Sequence, residues 1–183
     1  MQRKHLRALC EGAVMVALAQ ALGYLKLWQM PYGGSITFIM LPIFVYCARW
    51  GFARGMLAAF ALSCLQFFLD ASFAIGWQSI LGDYILAYSA LGLAGLFSKT
   101  HGGFFWGTLV GSFGRFVVHY VTGATLWAEY MPDRFLGLSM TSPWIYSAIY
   151  NGIYVGLCMA LCLVVGGLLW KPLGKYLRRE DLR

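Results

Sequence analysis

Apolar residues in this chain run in long blocks, and charged and turn-forming residues collect between them. A bilayer is crossed by a helix of roughly 20 apolar residues, and the blocks divide into six spans of about that order. Span one covers about 8–25 and ends near Gly23 and Lys26. The stretch Trp28-Gln29-Met30-Pro31-Tyr32-Gly33-Gly34 follows, where proline and paired glycines predict a loop or re-entrant turn. Span two runs from about 35 to 48, short and with a kink expected at Pro42. Span three covers about 55–71, span four about 80–97 and span five about 104–122. A longer polar connection carries Trp127, Glu129, Pro132, Asp133 and Arg134 before span six, which starts after Pro143 and reaches about Trp170. The expected architecture is an all-α integral membrane protein, one domain over residues 1–183.

Composition removes the soluble alternative. The chain is 60% hydrophobic and 11% charged, whereas soluble domains are nearer half apolar and a quarter charged. The net charge of +7 matters by position more than by sum. Arg3, Lys4 and Arg7 precede span one, Arg49 and Arg54 flank the turn at Gly51, and Lys99 lies between spans four and five. Lys171, Lys175, Arg178, Arg179 and Arg183 follow span six. The other connections hold only Lys26 and Arg134. Six spans put the enriched set on one side, which the positive-inside rule makes cytoplasmic, with both termini there. This is a topology pattern, not a nucleic-acid footprint. The N-terminus loosely imitates a secretory signal around Ala17-Leu18-Ala19, but Glu11 interrupts it and the rest of the chain is itself spanning. Cys10, Cys47, Cys64, Cys158 and Cys162 show no metal spacing and read as packing residues.

Small residues recur at helical spacing, as Ala13, Ala17 and Ala21 on span one and Gly103, Gly107 and Gly111 on span five. Such stripes let helices approach closely, within this chain or against another subunit; span one, otherwise uniformly apolar, suits docking better. Ionisable groups within spans are costly and usually functional. They are few: Asp70, Asp83, Arg115, His119, and Glu11, which could face water or pair with Arg7. At the non-cytoplasmic end, Asp83-Tyr84, His119, Tyr120, Gly123, Trp127, Tyr146, Tyr150 and Asn151 converge with Trp28, Tyr32 and Trp77 from the loops. An aromatic belt at headgroup depth explains single Trp and Tyr residues. It does not explain Asp83, His119 and Asn151 at the same depth. An acid ringed by aromatics suits an organic cation: ring faces attract positive charge, and the carboxylate supplies counter-charge. Asn151 both donates and accepts, which suits a heteroaromatic amine edge. No nucleophile elbow, phosphate loop or zinc motif is present, and the chain carries no ATPase of its own.

The chain resembles the thiamine-specific substrate-binding subunit (S component, ThiT-type) of energy-coupling factor transporters. The matching segments are Pro31-Tyr32-Gly33-Gly34-Ser35, Met40-Leu41-Pro42-Ile43, Asp83-Tyr84-Ile85-Leu86-Ala87-Tyr88 and Gly92-Leu93-Ala94-Gly95. Gly114-Arg115-Phe116-Val117-Val118-His119-Tyr120-Val121-Thr122-Gly123 follows, then Trp127 and Tyr146-Ser147-Ala148-Ile149-Tyr150-Asn151-Gly152. The resemblance implies six helices, cytoplasmic termini and a thiamine pocket near the outer face under the loop after span one. It implies ligand contacts from Asp83, Tyr84, His119, Gly123, Trp127, Tyr146 and Asn151, with Trp28 from the loop and either Phe73 or Trp77 from the end of span three. The acid is Asp where the family also uses Glu. The Ala13, Ala17 and Ala21 stripe corresponds to the family's docking face for a transmembrane partner energised by two ATPases. The expected activity is high-affinity capture and delivery of thiamine without catalysis, cofactor or metal. The rivals are an S component for another vitamin or thiamine precursor, and a membrane subunit without a transported ligand.

Overall fold

The computed structural model describes residues 2–182; the basic Arg183 lies outside the described residues. The chain forms α1 (Gln2–Tyr24), an antiparallel pair β1 (Trp28–Gln29) and β2 (Ser35–Ile36), then α2 (Met40–Trp50) and α3 (Phe52–Asp70). It continues as α4 (Trp77–Phe97), α5 (Gly103–Thr125), a second short pair β3 (Arg134–Phe135) and β4 (Leu138–Ser139), α6 (Pro143–Leu169) and α7 (Gly174–Leu177). Four helices are long and apolar enough to cross a membrane: Arg3–Tyr24, Phe52–Phe73, Trp77–Phe97 and Pro143–Leu169. Each turns most of its surface outward, with Leu9, Val14, Phe68 and Leu168 among the exposed apolar side chains. That inversion is favourable where the surroundings are lipid tails.

The two remaining long elements depart from a uniform apolar rod for identifiable reasons. α5 is a 23-residue helix, but its buried face carries Thr108, Ser112, Arg115, His119 and Thr122, which lowers its hydropathy. α2 has 11 residues and rises only about 16 Å, roughly half a bilayer core. The kink expected at Pro42 is absent because the helix begins at Met40. Pro42 sits in the first turn, where backbone N–H groups have no intrahelical acceptor.

The helices meet along faces that repeat every fourth residue. α6 buries Tyr146, Tyr150, Tyr154, Cys158, Cys162 and Gly166, and α5 buries Gly103, Gly107, Gly111, Arg115 and His119. The glycine stripe of α5 is an internal packing surface: a Cβ at Gly107 would stand 2.6 Å from the Ala94 carbonyl oxygen on α4. The alanine stripe behaves oppositely. Ala13, Ala17 and Ala21 are all exposed, while α1 packs inward through Gly12, Val16, Ala19 and Gln20. Met40, Ile43, Phe44, Cys47, Leu62, Leu91 and Phe104 form the core between α2, α3, α4 and α5. Cys47, Cys158 and Cys162 are buried packing residues, but Cys10 is exposed on α1.

The basic connections gather at one end. Arg49, the last basic residue of α2, donates to both oxygens of Glu11 and both of Asp181, and to the Tyr176 carbonyl. Arg7 joins the same two acids, at 2.9 Å to Glu11 and 2.7 Å to Asp181, and Arg54 lies 3.3 Å from His5. Glu11 is therefore a structural partner of two arginines and of the Trp50 indole, not a lone surface acid. The Arg49 hydrogen bonds hold the Asp181 carboxyl down at about 2.

Candidate functional site

α4 changes its winding where the site lies. After one α-helical turn at Trp77–Ser79 it opens into a π-helix over Ile80–Leu86, and beyond Ala87–Ser89 it tightens into a 3-10 helix over Ala90–Phe97. Wide turns of this kind concentrate at functional sites, because the extra residue re-aims side chains. Here the wide segment carries Asp83 and Tyr84. Gly82, one residue earlier, lets α5 come close: a Cβ there would lie 2.3 Å from the Thr122 methyl. That approach brings Thr122 and His119 of α5 onto the Asp83 carboxylate.

Asp83 is held by four donors. Oδ1 lies 3.0 Å from His119 Nδ1 and 2.5 Å from Thr122 Oγ1; Oδ2 accepts from Trp127 Nε1 at 2.9 Å and from Ser79 Oγ at 3.1 Å. On the far side of the imidazole, Arg115 Nε donates to His119 Nε2 at 3.3 Å. Arginine has no acceptor, so Nε2 must accept and Nδ1 carries the proton toward Asp83. The Arg115 guanidinium lies 4.2 Å from the centre of the Tyr88 ring and makes no ion pair with a carboxylate among the described residues.

These groups form the floor of an open-mouthed chamber of about 120 Å³. Asp83, Tyr84, His119, Trp127, Tyr146 and Asn151, all anticipated from the sequence, line it together. Three charged side chains join them: Lys26, Asp70 and Arg115. Asn151 plays a narrower part than its chemistry allows. Its Nδ2 donates to the His119 carbonyl at 3.1 Å and to the Ser147 carbonyl and hydroxyl at 3.0 Å. Only Oδ1 is left to accept from a ligand.

Gly123 is not a lining residue. It makes room for the Asn151 network: a Cβ there would stand 2.4 Å from Ser147 Oγ and 2.9 Å from Asn151 Nδ2. Trp28 also stands apart, 68% exposed on β1, and the loop contributes Tyr32 instead. Tyr32 sits at φ 62 in the turn Pro31–Gly33, with its ring 6.3 Å from Trp127 and 6.0 Å from Tyr130. Of the two aromatics weighed at the end of α3, Phe73 lines the chamber and Trp77 is 70% exposed. The loop is fastened from across the chamber by Tyr150, whose hydroxyl accepts from Gly34 N at 3.0 Å and donates to the Pro31 carbonyl.

Sequence reasoning missed Gln66, Tyr88, Tyr130 and Tyr154 as lining residues. Two carried a periodic signal. Tyr154 extends the four-residue ladder Tyr146, Tyr150, Tyr154, whose rings follow at 5.6 and 5.8 Å, and Tyr88 lies one turn beyond Tyr84. Gln66 is positioned by tertiary structure alone, donating to Gln20 of α1 at 2.8 Å.

Comparison with known proteins places this architecture. The chain is 32% identical over 161 residues to the thiamine transporter ThiT of Bacillus subtilis (strain 168), covering 80% of this chain and 81% of that protein. It is 28% identical over 187 residues to the thiamine transporter ThiT of Lacticaseibacillus paracasei, covering 92% of this chain and 89% of that one. A solved structure of ThiT from Listeria monocytogenes superposes with a TM-score of 0.84, covering 95% of this chain and 98% of the other at 23% identity, a likeness of fold. The profile of the family described as thiamine transporter protein (Thia_YuaJ) matches residues 9–177, which takes in every residue lining the chamber, and the chain belongs to that family.

Proposed function

We propose that this protein captures thiamine with high affinity from outside the cell and delivers it across the plasma membrane as the specificity subunit of an energy-coupling factor transporter. In this reading the chain crosses the membrane six times, with both termini and the Arg49 cluster cytoplasmic and the chamber near the outer face. Its partners are a transmembrane T component and two ATPase subunits. The protein itself catalyses no reaction and needs no cofactor. The exposed Ala13, Ala17 and Ala21 stripe supports docking of such a partner, because it is left uncovered among the described residues.

The observation that carries the reading is the Asp83 carboxylate, anchored by His119, Thr122, Ser79 and Trp127 in a chamber walled by tyrosines. Ring faces and the Asp83 carboxylate together favour a flat organic cation such as the thiazolium. Asp83 Oδ2, which accepts from Ser79 and Trp127, is the oxygen that a ligand N–H would share. Asn151 Oδ1 offers a second acceptor, which fits the amino group of the pyrimidine. Trp127 couples binding to fluorescence. Titrating the purified protein with thiamine should give a saturable change in tryptophan emission at or below about micromolar ligand, a binding free energy near 8 kcal/mol. The absence of any response there, with the protein folded, overturns the proposal. Competition by the separate pyrimidine and thiazole fragments checks specificity: a pyrimidine fragment binding as tightly as thiamine assigns the site to a precursor instead.

A further inference from the structure

At the end opposite the chamber mouth lies a second cavity, of about 600 Å³, walled by three separate segments: the start of α1, the turn from α4 to α5, and the chain after α6. Lys4, Lys99, His101, Arg178 and Arg179 line it, against the single carboxylate of Glu180. Arg178 Nε is bonded to Glu180 at 2.6 Å. Among the described residues, the side chains of Lys99, His101 and Arg179 make no hydrogen bond or ion pair. The nearby Arg49 cluster shows how this fold treats an arginine that is purely structural, with carboxylates and a carbonyl on every nitrogen. The cavity instead sets Lys99 and Arg179 beside Arg178 and Lys4 with Glu180 as the carboxylate in its wall, an excess of positive charge that a bound anion would offset.

The chemistry of the wall narrows the anion. Several cations converge from different directions on a compact space, which suits a phosphate group with its charge spread over several oxygens. The first residues of the 23-residue α5, Gly103 and Phe104, also border the cavity and add the positive end of a helix dipole. Trp170 on the rim is half-buried, as expected of a tryptophan at headgroup depth. We infer that this cavity is a binding site for a phosphate-bearing anion, the chemistry shared by an anionic lipid headgroup and free phosphate.

Native mass spectrometry of the full-length protein tests this, with phosphatidylglycerol and phosphatidylcholine of identical acyl chains as probes. The wild type should retain phosphatidylglycerol preferentially, and Lys99→Gln with Arg179→Gln should weaken that retention by about tenfold or more. Lys171→Gln, an exposed cation outside the cavity, should leave it unchanged. Adding millimolar inorganic phosphate identifies the source: displaced lipid means that free phosphate occupies the cavity, and undisplaced lipid means that the headgroup does. Thiamine titration of the double variant should match the wild type, so a failure here is separable from failure of the transport reading. Equal retention of the two lipids, or equal losses in the double variant and in Lys171→Gln, overturns the site.

Discussion

The protein buries two arginines almost equally, Arg49 at 5% and Arg115 at 6% exposure, and surrounds them differently. Arg49 makes five hydrogen bonds for its five N–H groups, four of them to Glu11 and Asp181. Arg115 rests on the Tyr88 ring and on one nitrogen of His119. The nearest acid in that chain of contacts, Asp83, is reached only through the imidazole. A closed knot of charges fixes α1, α2 and the C-terminal segment to each other. An open relay leaves polar capacity facing a chamber. Both clusters contain arginine, acid and indole, so how completely the arginine is bonded, not the presence of charge, separates scaffold from site.

The largest effect expected on this contrast comes from the relay. Asp83→Asn keeps the shape but removes the charge, and its amide cannot accept from His119, Thr122, Trp127 and Ser79 together. Charge-assisted hydrogen bonds contribute roughly twice as much as neutral ones, so thiamine affinity should fall about 100-fold, or about 2.7 kcal/mol. The donors left unmet should also lower the midpoint of thermal unfolding in detergent, so affinity is measured on protein that is still folded. An affinity within about threefold of wild type would remove Asp83 from the binding role.

The knot should answer in the opposite observable. Arg49→Met leaves Glu11 and Asp181, whose side chains are 26% and 20% exposed, with only Arg7 and, for Glu11, the Trp50 indole as partners. A fully buried pair would lose 3–5 kcal/mol on such a change. Partial hydration reduces the expected loss to about 2 kcal/mol, read from denaturant or thermal unfolding, with thiamine affinity unchanged. Arg115→Met strands no carboxylate and should cost less than about 1 kcal/mol of stability. Equal losses for the two substitutions would erase the distinction between knot and relay.

Much of this was legible from the sequence because membrane burial is written in composition and in four-residue spacing. The long apolar blocks gave the helices, and the basic residues at alternate connections gave the end where Arg7, Arg49 and Arg54 meet. Asp83, His119 and Trp127 stood out as costly or amphipathic residues at one depth, and they do bond each other. Local winding was not legible. The π segment at Ile80–Leu86 packs Gly82 against Thr122 of α5, and the 3-10 segment at Ala90–Phe97 packs Gly92 and Gly95 against Met56 and Phe52 of α3, contacts between distant stretches that no local propensity encodes. Pro42 misled for a related reason: its effect depends on where the helix starts, and element boundaries are the weakest part of any pattern reading. Trp28 and Tyr32 both lie in a loop without periodicity, so which of them faces the chamber is decided by the β1–β2 pairing and by the Tyr150 hydroxyl.

That hydroxyl offers a finer test of the open region. Tyr150→Phe preserves the ring ladder with Tyr146 and Tyr154 and removes only the bonds to Gly34 and Pro31. Two neutral hydrogen bonds at about 1 kcal/mol each bound the effect. Thiamine dissociation measured by stopped-flow fluorescence should accelerate about tenfold, while association changes less. An unchanged release rate would mean that the loop is held shut by its aromatic contacts with Trp127 and Tyr130 instead.

The smallest effect belongs to the knot and is seen only with pH. The Asp181 carboxyl is held at about 2 by its hydrogen bonds to Arg49, below the ordinary aspartate value of about 3.9. A group whose value is depressed on folding stabilises the folded state above its unfolded value and loses that contribution as pH falls through the folded one. The gap in stability between wild type and Asp181→Asn should therefore be constant from neutral pH down to about 5, narrow below about 4 and close as pH approaches 2. Thermal unfolding of both proteins across that range measures it. A gap that shows no pH dependence across that range would mean that the bonds to Arg49 do not hold the Asp181 carboxyl below its ordinary value.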